Sequence, residues 1–201
     1  MGVIWDQEMF DRAYRMRVRA PGHPNQGAEL GYSEEFARMQ RRPDRAGYTE
    51  YEERAELIST LVDRGTRILV VGCGFGYLPH ELTRIGLPAR GVDSSDWIAA
   101  RWSRNRPSGF MRSPLHADIR DPEAELANID ALVTESVLES YPDDDERESL
   151  LARCRELAQT VIHMVFDTEL IEPLLSQSIE DWAHEDPEAT WISIPRRQVH
   201  V

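Results

Sequence analysis

A short apolar run followed at once by three closely spaced glycines constrains this 201-residue chain more than any other feature. Residues 67–71 (RILVV) form a continuous β-branched and apolar segment, which is typical of a strand buried on both faces of a parallel sheet. Residues 72–76 (GCGFG) follow directly. Glycines there permit a tight turn and let a ligand approach the backbone without a Cβ in the way. The sequence therefore predicts a strand, a glycine-rich loop and then a helix.

Strands and helices are predicted to alternate along the rest of the chain. Four helices are predicted. The first covers 49–64, where Thr49 and Glu52 form a capping box, and the second covers 77–85. The third begins after a cap at Ser95 or Asp96, and the fourth covers 143–158. The predicted strands are 67–71, 89–93, 115–117, 130–134 and 160–166, with a final extended piece at 190–194. This alternation implies an α/β fold, a doubly wound and mostly parallel sheet with helices on both faces. Ligands of such sheets bind at the carboxyl ends of the strands, at the topological switch point.

Composition excludes several classes of function. All 23 basic residues are arginine, so neither a phosphate-binding loop with its lysine nor Schiff-base chemistry is available. The net charge of −13 disfavours non-specific binding to nucleic acid. No apolar run approaches the ~20 residues of a membrane span. Two cysteines and the absence of a visible secretory signal predict a cytoplasmic protein.

A carboxylate at the end of the second predicted strand makes the prediction of a ligand at the glycine loop more specific. Asp93 follows Gly76 by 17 residues, where it could accept both hydroxyls of a ribose. The dinucleotide fingerprint is G-x-G-x-x-G, but Tyr77 stands where its third glycine would be. A side chain at that position opposes close packing of helix on strand. A nicotinamide-dependent oxidoreductase is therefore kept as an alternative and is not the favoured function.

Four segments in order resemble the motifs of the class I S-adenosylmethionine-dependent methyltransferases. VVGCGFGYL is similar to their first loop, GVDSS to their second-strand acidic motif, HADIRD to their adenine-side acidic motif, and IDALVTESVLE to their fourth-strand motif. The resemblance covers about residues 49–166. It implies a Rossmann-like fold, S-adenosylmethionine as the cofactor and methyl transfer as the activity. It also implies a lid formed by residues 1–47 over a cofactor-binding domain of residues 48–201.

The resemblance implies a role at the cofactor for one set of residues. The three glycines would guide the backbone around the methionine moiety and the ribose, the acid after the second strand would bind the ribose hydroxyls, and the acid after the third strand would accept from the adenine amino group. The full set is Gly72, Cys73, Gly74, Gly76, Tyr77, Asp93, Ser94, Asp118, Ile119 and Thr134. Glu135 is the candidate catalytic base, and the alternative is a carboxylate that only hydrogen-bonds the cofactor or a loop. Tyr14 and Tyr32 of the lid would contact the substrate.

The chain departs from the family at one position of the first motif. Val70 stands where the family has an acidic residue that helps to hold the ammonium group of the cofactor, so this contact is lost or supplied elsewhere. A non-catalytic protein of the same fold, acting through a partner surface, is therefore an alternative.

The residues that follow the fourth predicted strand exclude one class of methyl acceptor. TESV replaces the turn that amino methylation of a DNA base needs, so DNA base methylation is not expected. An oxygen or nitrogen atom of a small molecule is the expected acceptor, with a protein or RNA group as the alternative. No metal is expected, because the acidic run 143–146 fits the first turn of a helix. His163 lies within an apolar strand and is interpreted as a core histidine.

Overall fold

A six-stranded sheet forms the centre of the protein in the computed structural model. The structure describes residues 46–106, 109, 112–121, 124, 126, 128–135, 137–138, 144–166 and 186–194. The strands are β1 (Ile68–Val71), β2 (Ala89–Asp93), β3 (Leu115–His116), β4 (Ala131–Glu135), β5 (Thr160–Phe166) and β6 (Thr190–Ile194). The helices are α1 (Ala46–Ser59), α2 (Tyr77–Arg84), α3 (Asp96–Asn105) and α4 (Asp144–Leu157).

The sheet is doubly wound. Its strand order is β3-β2-β1-β4-β5-β6, and all pairings within the described part of the chain are parallel. The chain moves outward from β1 to β2 and β3, and then returns to the other side of β1 with β4. The switch point therefore lies between the carboxyl ends of β1 and β4, and the predicted fold class is confirmed.

Both faces of the sheet are covered by apolar side chains, which explains the continuous apolar run in β1. Leu69 and Val71 belong to the layer that contains the buried face of α4. Ile68 and Val70 belong to the opposite layer, together with residues of α1 and α2. All four residues of the strand are buried.

The element boundaries differ from the sequence predictions in two places that matter for the site. Helix α1 begins at Ala46, so Thr49 lies inside the helix and the predicted capping box is wrong. Strand β4 extends through Glu135, one residue beyond the end of the predicted strand. Tyr14 and Tyr32 lie outside the described residues, as does nearly all of the predicted lid. Within the described part of the chain, no helix combines the length and apolar character needed to cross a membrane.

Gly91 in β2 provides a test of how tightly the glycine loop packs on the sheet. A Cβ added at Gly91 would lie 2.3 Å from the Sγ atom of Cys73 and 2.9 Å from its Cβ. We expect Gly91→Ala to lower the free energy of unfolding by about 1–3 kcal/mol through overpacking, as measured by urea denaturation. Adding Cys73→Ala removes the sulfur atom and should recover part of this loss. Equal losses in the single and double variants would contradict the assigned contact.

Candidate functional site

The loop that joins β1 to α2 turns on three glycines with positive φ angles. Gly72, Gly74 and Gly76 have φ values of 68°, 54° and 89°, a left-handed region that favours glycine over residues with a Cβ. Gly72 also lies against the end of β4, because a Cβ there would stand 2.2 Å from Cγ2 of Val137 and 3.5 Å from the carbonyl oxygen of Glu135. The loop is thus held at the switch point, where ligands of doubly wound sheets bind.

Asp93, the last residue of β2, ties this loop to the next one. One carboxylate oxygen accepts a hydrogen bond from the Gly74 amide at 2.9 Å. The other accepts from the Ser95 amide, also at 2.9 Å. Ser95 in turn caps α3, because its hydroxyl accepts from the Ile98 amide at 3.3 Å. Each of the two oxygens therefore accepts from a different loop, and an ionised carboxylate has about four acceptor sites in all.

Glu135 has a partner that the sequence did not reveal. Its carboxylate accepts a hydrogen bond from the Arg54 guanidinium of α1, and the two side chains form a buried ion pair. The guanidinium also lies over the ring of Tyr51, 5.1 Å from the ring centroid. Helix α1 therefore reaches the carboxyl end of β4 through Arg54.

Two of the predicted cofactor residues direct their side chains into the protein. The Cys73 thiol packs beside Gly91 in the core. Burial raises the pKa of this thiol well above its usual value, and the carboxylates of Asp93 and Glu135 raise it further. The Tyr77 ring is buried and stacks on Tyr51, with 5.6 Å between ring centroids. The side chains of Cys73 and Tyr77 therefore contribute to packing, which leaves the main chain for any contact with a ligand.

The predicted adenine side is already occupied by an internal contact. The Arg120 side chain donates to both oxygens of Asp118, at 2.6 Å in the shortest case. Burial tends to raise the pKa of this carboxyl, but the hydrogen bonds from Arg120 outweigh burial and lower the pKa. Ser94 is exposed, whereas the Ile119 side chain lies in the core. An adenine contact at Asp118 would therefore have to share the carboxylate with Arg120.

Thr134 and His163 form part of a buried polar chain. The two residues are paired in register across β4 and β5, and the Thr134 hydroxyl lies 2.8 Å from Nδ1 of His163. The other ring nitrogen lies 3.4 Å from the carboxylate of Asp186, which also pairs with Arg155 at 3.3 Å. His163 is thus buried, as interpreted from the sequence, and it has polar partners on both nitrogens.

Sequence reasoning missed Arg54 and Asp186. Arg54 lies in the middle of a predicted helix, where an arginine usually faces solvent, and its partner is 81 residues away. A signal was available for Asp186, because a histidine in an apolar strand needs polar partners when it is buried. Nothing in the sequence distinguishes Asp186 from the many other acids of the C-terminal part.

Comparison with known proteins finds similar folds. No protein-family model matches the chain, and no curated protein matches it. Among solved structures, it is similar to CalS10, an amino pentose methyltransferase from Micromonospora echinaspora, with 18% identity, a TM-score of 0.49, and coverage of 64% of this chain and 53% of that chain. It is similar to DesVI from Streptomyces venezuelae at 22% identity, TM-score 0.45, covering 56% of this chain and 49% of that chain.

A third similar structure is magnesium protoporphyrin IX methyltransferase (ChlM) from Synechocystis, with 18% identity, a TM-score of 0.45, and coverage of 79% of this chain and 74% of that chain. This chain spans about half the length of CalS10 and DesVI. The likeness at this level of identity concerns the fold.

The buried histidine predicts a specific dependence of stability on pH. Burial lowers the pKa of His163, while Asp186 opposes this change. As the pH falls, the unfolded chain therefore takes up a proton on this residue before the folded protein does. We expect the free energy of unfolding to fall as the pH drops through the unfolded-state pKa of about 6.5, as measured by urea denaturation between about pH 8 and pH 5.5.

The contribution of His163 to that slope can be isolated by substitution. His163→Gln should flatten the pH dependence, whereas His116→Gln should retain it, because His116 is exposed. A His163→Gln variant with the slope of the unsubstituted protein would contradict the assignment.

Proposed function

We propose that the protein is an S-adenosylmethionine-dependent methyltransferase that acts on an oxygen or nitrogen atom of a small molecule. The observation that carries the proposal is the position of Asp93, whose carboxylate is fixed by the amides of Gly74 and Ser95 at the carboxyl edge of the sheet. A carboxylate held beside a glycine loop can accept the hydroxyls of a ribose while the loop lies against the neighbouring part of the ligand. The hydrogen bonds of Asp93 to the two loops therefore support an adenosine-binding site at this edge.

The two carboxylates near the glycine loop suit either class of cofactor. The Asp93 carboxylate accepts from the Gly74 amide, and the Glu135 carboxylate is paired with Arg54. An acid after the second strand and this strand order also occur in dinucleotide-binding sites. The preference for S-adenosylmethionine over a nicotinamide cofactor therefore rests on Tyr77, which stands where the dinucleotide fingerprint has its third glycine.

The residues fit the cofactor at some positions and not at others. Asp93 places a carboxylate beside the glycine loop, where it can accept from a ribose, whereas the absence of a Cβ at Gly72 serves close packing against Val137. Val70 is wholly buried among apolar side chains and supplies no charge. Asp118 would hold the adenine amino group only in competition with Arg120.

When bound, S-adenosylmethionine supplies an electrophilic methyl group on its sulfonium. The chain must then hold the acceptor in line with that methyl group and give a neutral acceptor a place for its proton. Glu135 lies at the carboxyl end of β4 beside Gly72. We propose that its carboxylate is either the catalytic base or a group that binds the ligand. Thr134 precedes Glu135 and is wholly buried, with its side chain on the opposite face of the strand, where its hydroxyl contacts His163.

Binding of S-adenosylhomocysteine, followed by calorimetry, tests the proposal directly. We expect saturable binding with one ligand per chain. Absence of binding at millimolar ligand would overturn the proposal and favour the non-catalytic alternative, in which a partner surface carries the function. A thermal shift with NAD or NADP in place of S-adenosylhomocysteine would instead favour an oxidoreductase.

Asp93 can be tested by comparison with a neighbouring carboxylate. Asp93→Ala removes the predicted ribose acceptor and should weaken S-adenosylhomocysteine binding by about 2–3 kcal/mol. Asp96→Ala is the matched control, because Asp96 lies three residues away with a side chain that is 76% exposed. Thermal unfolding without ligand separates loss of binding from loss of the loop itself. Unchanged affinity in a folded Asp93→Ala protein would refute the assignment.

A further inference from the structure

The ion pair between Arg54 and Glu135 lies at the edge of the sheet where a ligand would bind. Arg54 is 7% exposed and Glu135 is 9% exposed, so the pair is nearly but not wholly removed from water. Glu135 is the last residue of β4, and its carbonyl lies next to Gly72 of the glycine loop. The pair therefore borders the switch point between β1 and β4.

A buried ion pair in this position needs a reason beyond stability. Removing two charges from water costs free energy that their attraction often fails to recover, and apolar replacements are frequently as stable. The chain also holds Arg54 in place with the ring of Tyr51. By contrast, the Arg67–Asp130 pair is about half exposed, with side chains 50% and 42% accessible, and it lies at the opposite end of β1 and β4.

We propose that Arg54 and Glu135 together recognise the α-amino acid end of the ligand, with the guanidinium binding its carboxylate and the Glu135 carboxylate binding its ammonium group. This inference rests on the proposed function, since S-adenosylmethionine carries such a zwitterion. The guanidinium has five N–H donors and the carboxylate about four acceptor sites. Groups with this many donor and acceptor sites can bind more than one partner at once, as Arg54 already does with Glu135 and the ring of Tyr51.

This arrangement accounts for the apolar residue at position 70. Val70 is completely buried in the layer under α1 and α2, and a carboxylate there would be desolvated without a partner. Glu135 supplies a negative charge on the same face of the sheet, because Ala131 and Val133 of β4 share that apolar layer with Val70. In the proposed zwitterion site, formed by Arg54 and Glu135, an acid of β4 thus replaces the acid that is missing at position 70 of β1. This proposal makes Glu135 a binding residue and no longer the candidate base.

The test compares two ligands that differ at the amino acid end. S-adenosylhomocysteine carries the zwitterion, whereas 5′-methylthioadenosine has the adenosine and thioether without it. The double variant Arg54→Gln/Glu135→Gln removes both charges, which avoids leaving one buried charge unpaired. We expect its affinity for S-adenosylhomocysteine to fall about 100-fold, while its affinity for 5′-methylthioadenosine stays within about twofold of the unsubstituted value.

The matched control is Arg67→Gln/Asp130→Asn, which removes the exposed pair at the other end of the same strands. It should bind both ligands as the unsubstituted protein does. Retained S-adenosylhomocysteine affinity in the Arg54/Glu135 double variant, or an equal loss for both ligands, would overturn the zwitterion site while leaving the proposed function intact. Failure of the unsubstituted protein to bind either ligand would overturn both proposals.

Discussion

The two hydrogen bonds to the Asp93 carboxylate connect the loops that follow β1 and β2 at the carboxyl edge of the sheet. Gly74 and Ser95 belong to loops that follow different strands, and a single side chain holds both amides at 2.9 Å. The strands themselves are already fixed by parallel pairing and by apolar layers on both faces. The carboxylate extends that order beyond the last paired residues, because it holds the two loops together.

The opposite side of the glycine loop is organised by contact with β4. Gly72 lies so close to Val137 that no Cβ fits between them, and Arg54 brings α1 onto the last residue of the same strand. Charged groups at this edge are therefore held by partners from distant parts of the chain. Such preorganisation lowers the entropic cost of ordering these groups when a ligand binds.

Local patterns predicted the fold well because they reflect local physics. The apolar run 68–71 is a strand buried on both faces, and 89–93, 160–166 and 190–194 are strands with the predicted bounds. The start of α1 was wrong, because a T-x-x-E pattern also occurs inside helices. Side-chain pairing escaped prediction. The Arg54–Glu135 pair joins residues 81 positions apart and depends on how α1 packs. The Asp118–Arg120 pair is local but depends on the conformation of the loop after β3. The sequence predicted a candidate site at the carboxyl edge of the sheet, and the structure added the partners of the charged residues there.

The position of Cys73 has a consequence for how the loop can be observed in solution. Its thiol is buried beside Gly91 of β2. Burial and the carboxylates of Asp93 and Glu135 raise the pKa of this thiol, and so oppose formation of the thiolate that reacts with electrophiles. Burial, with the carboxylate of Asp186, raises the pKa of the other cysteine, Cys154, to about 12. Slow alkylation of Cys73 would therefore record transient separation of the loop from β2. The rate of Cys73 alkylation would thus measure how often this edge of the sheet opens.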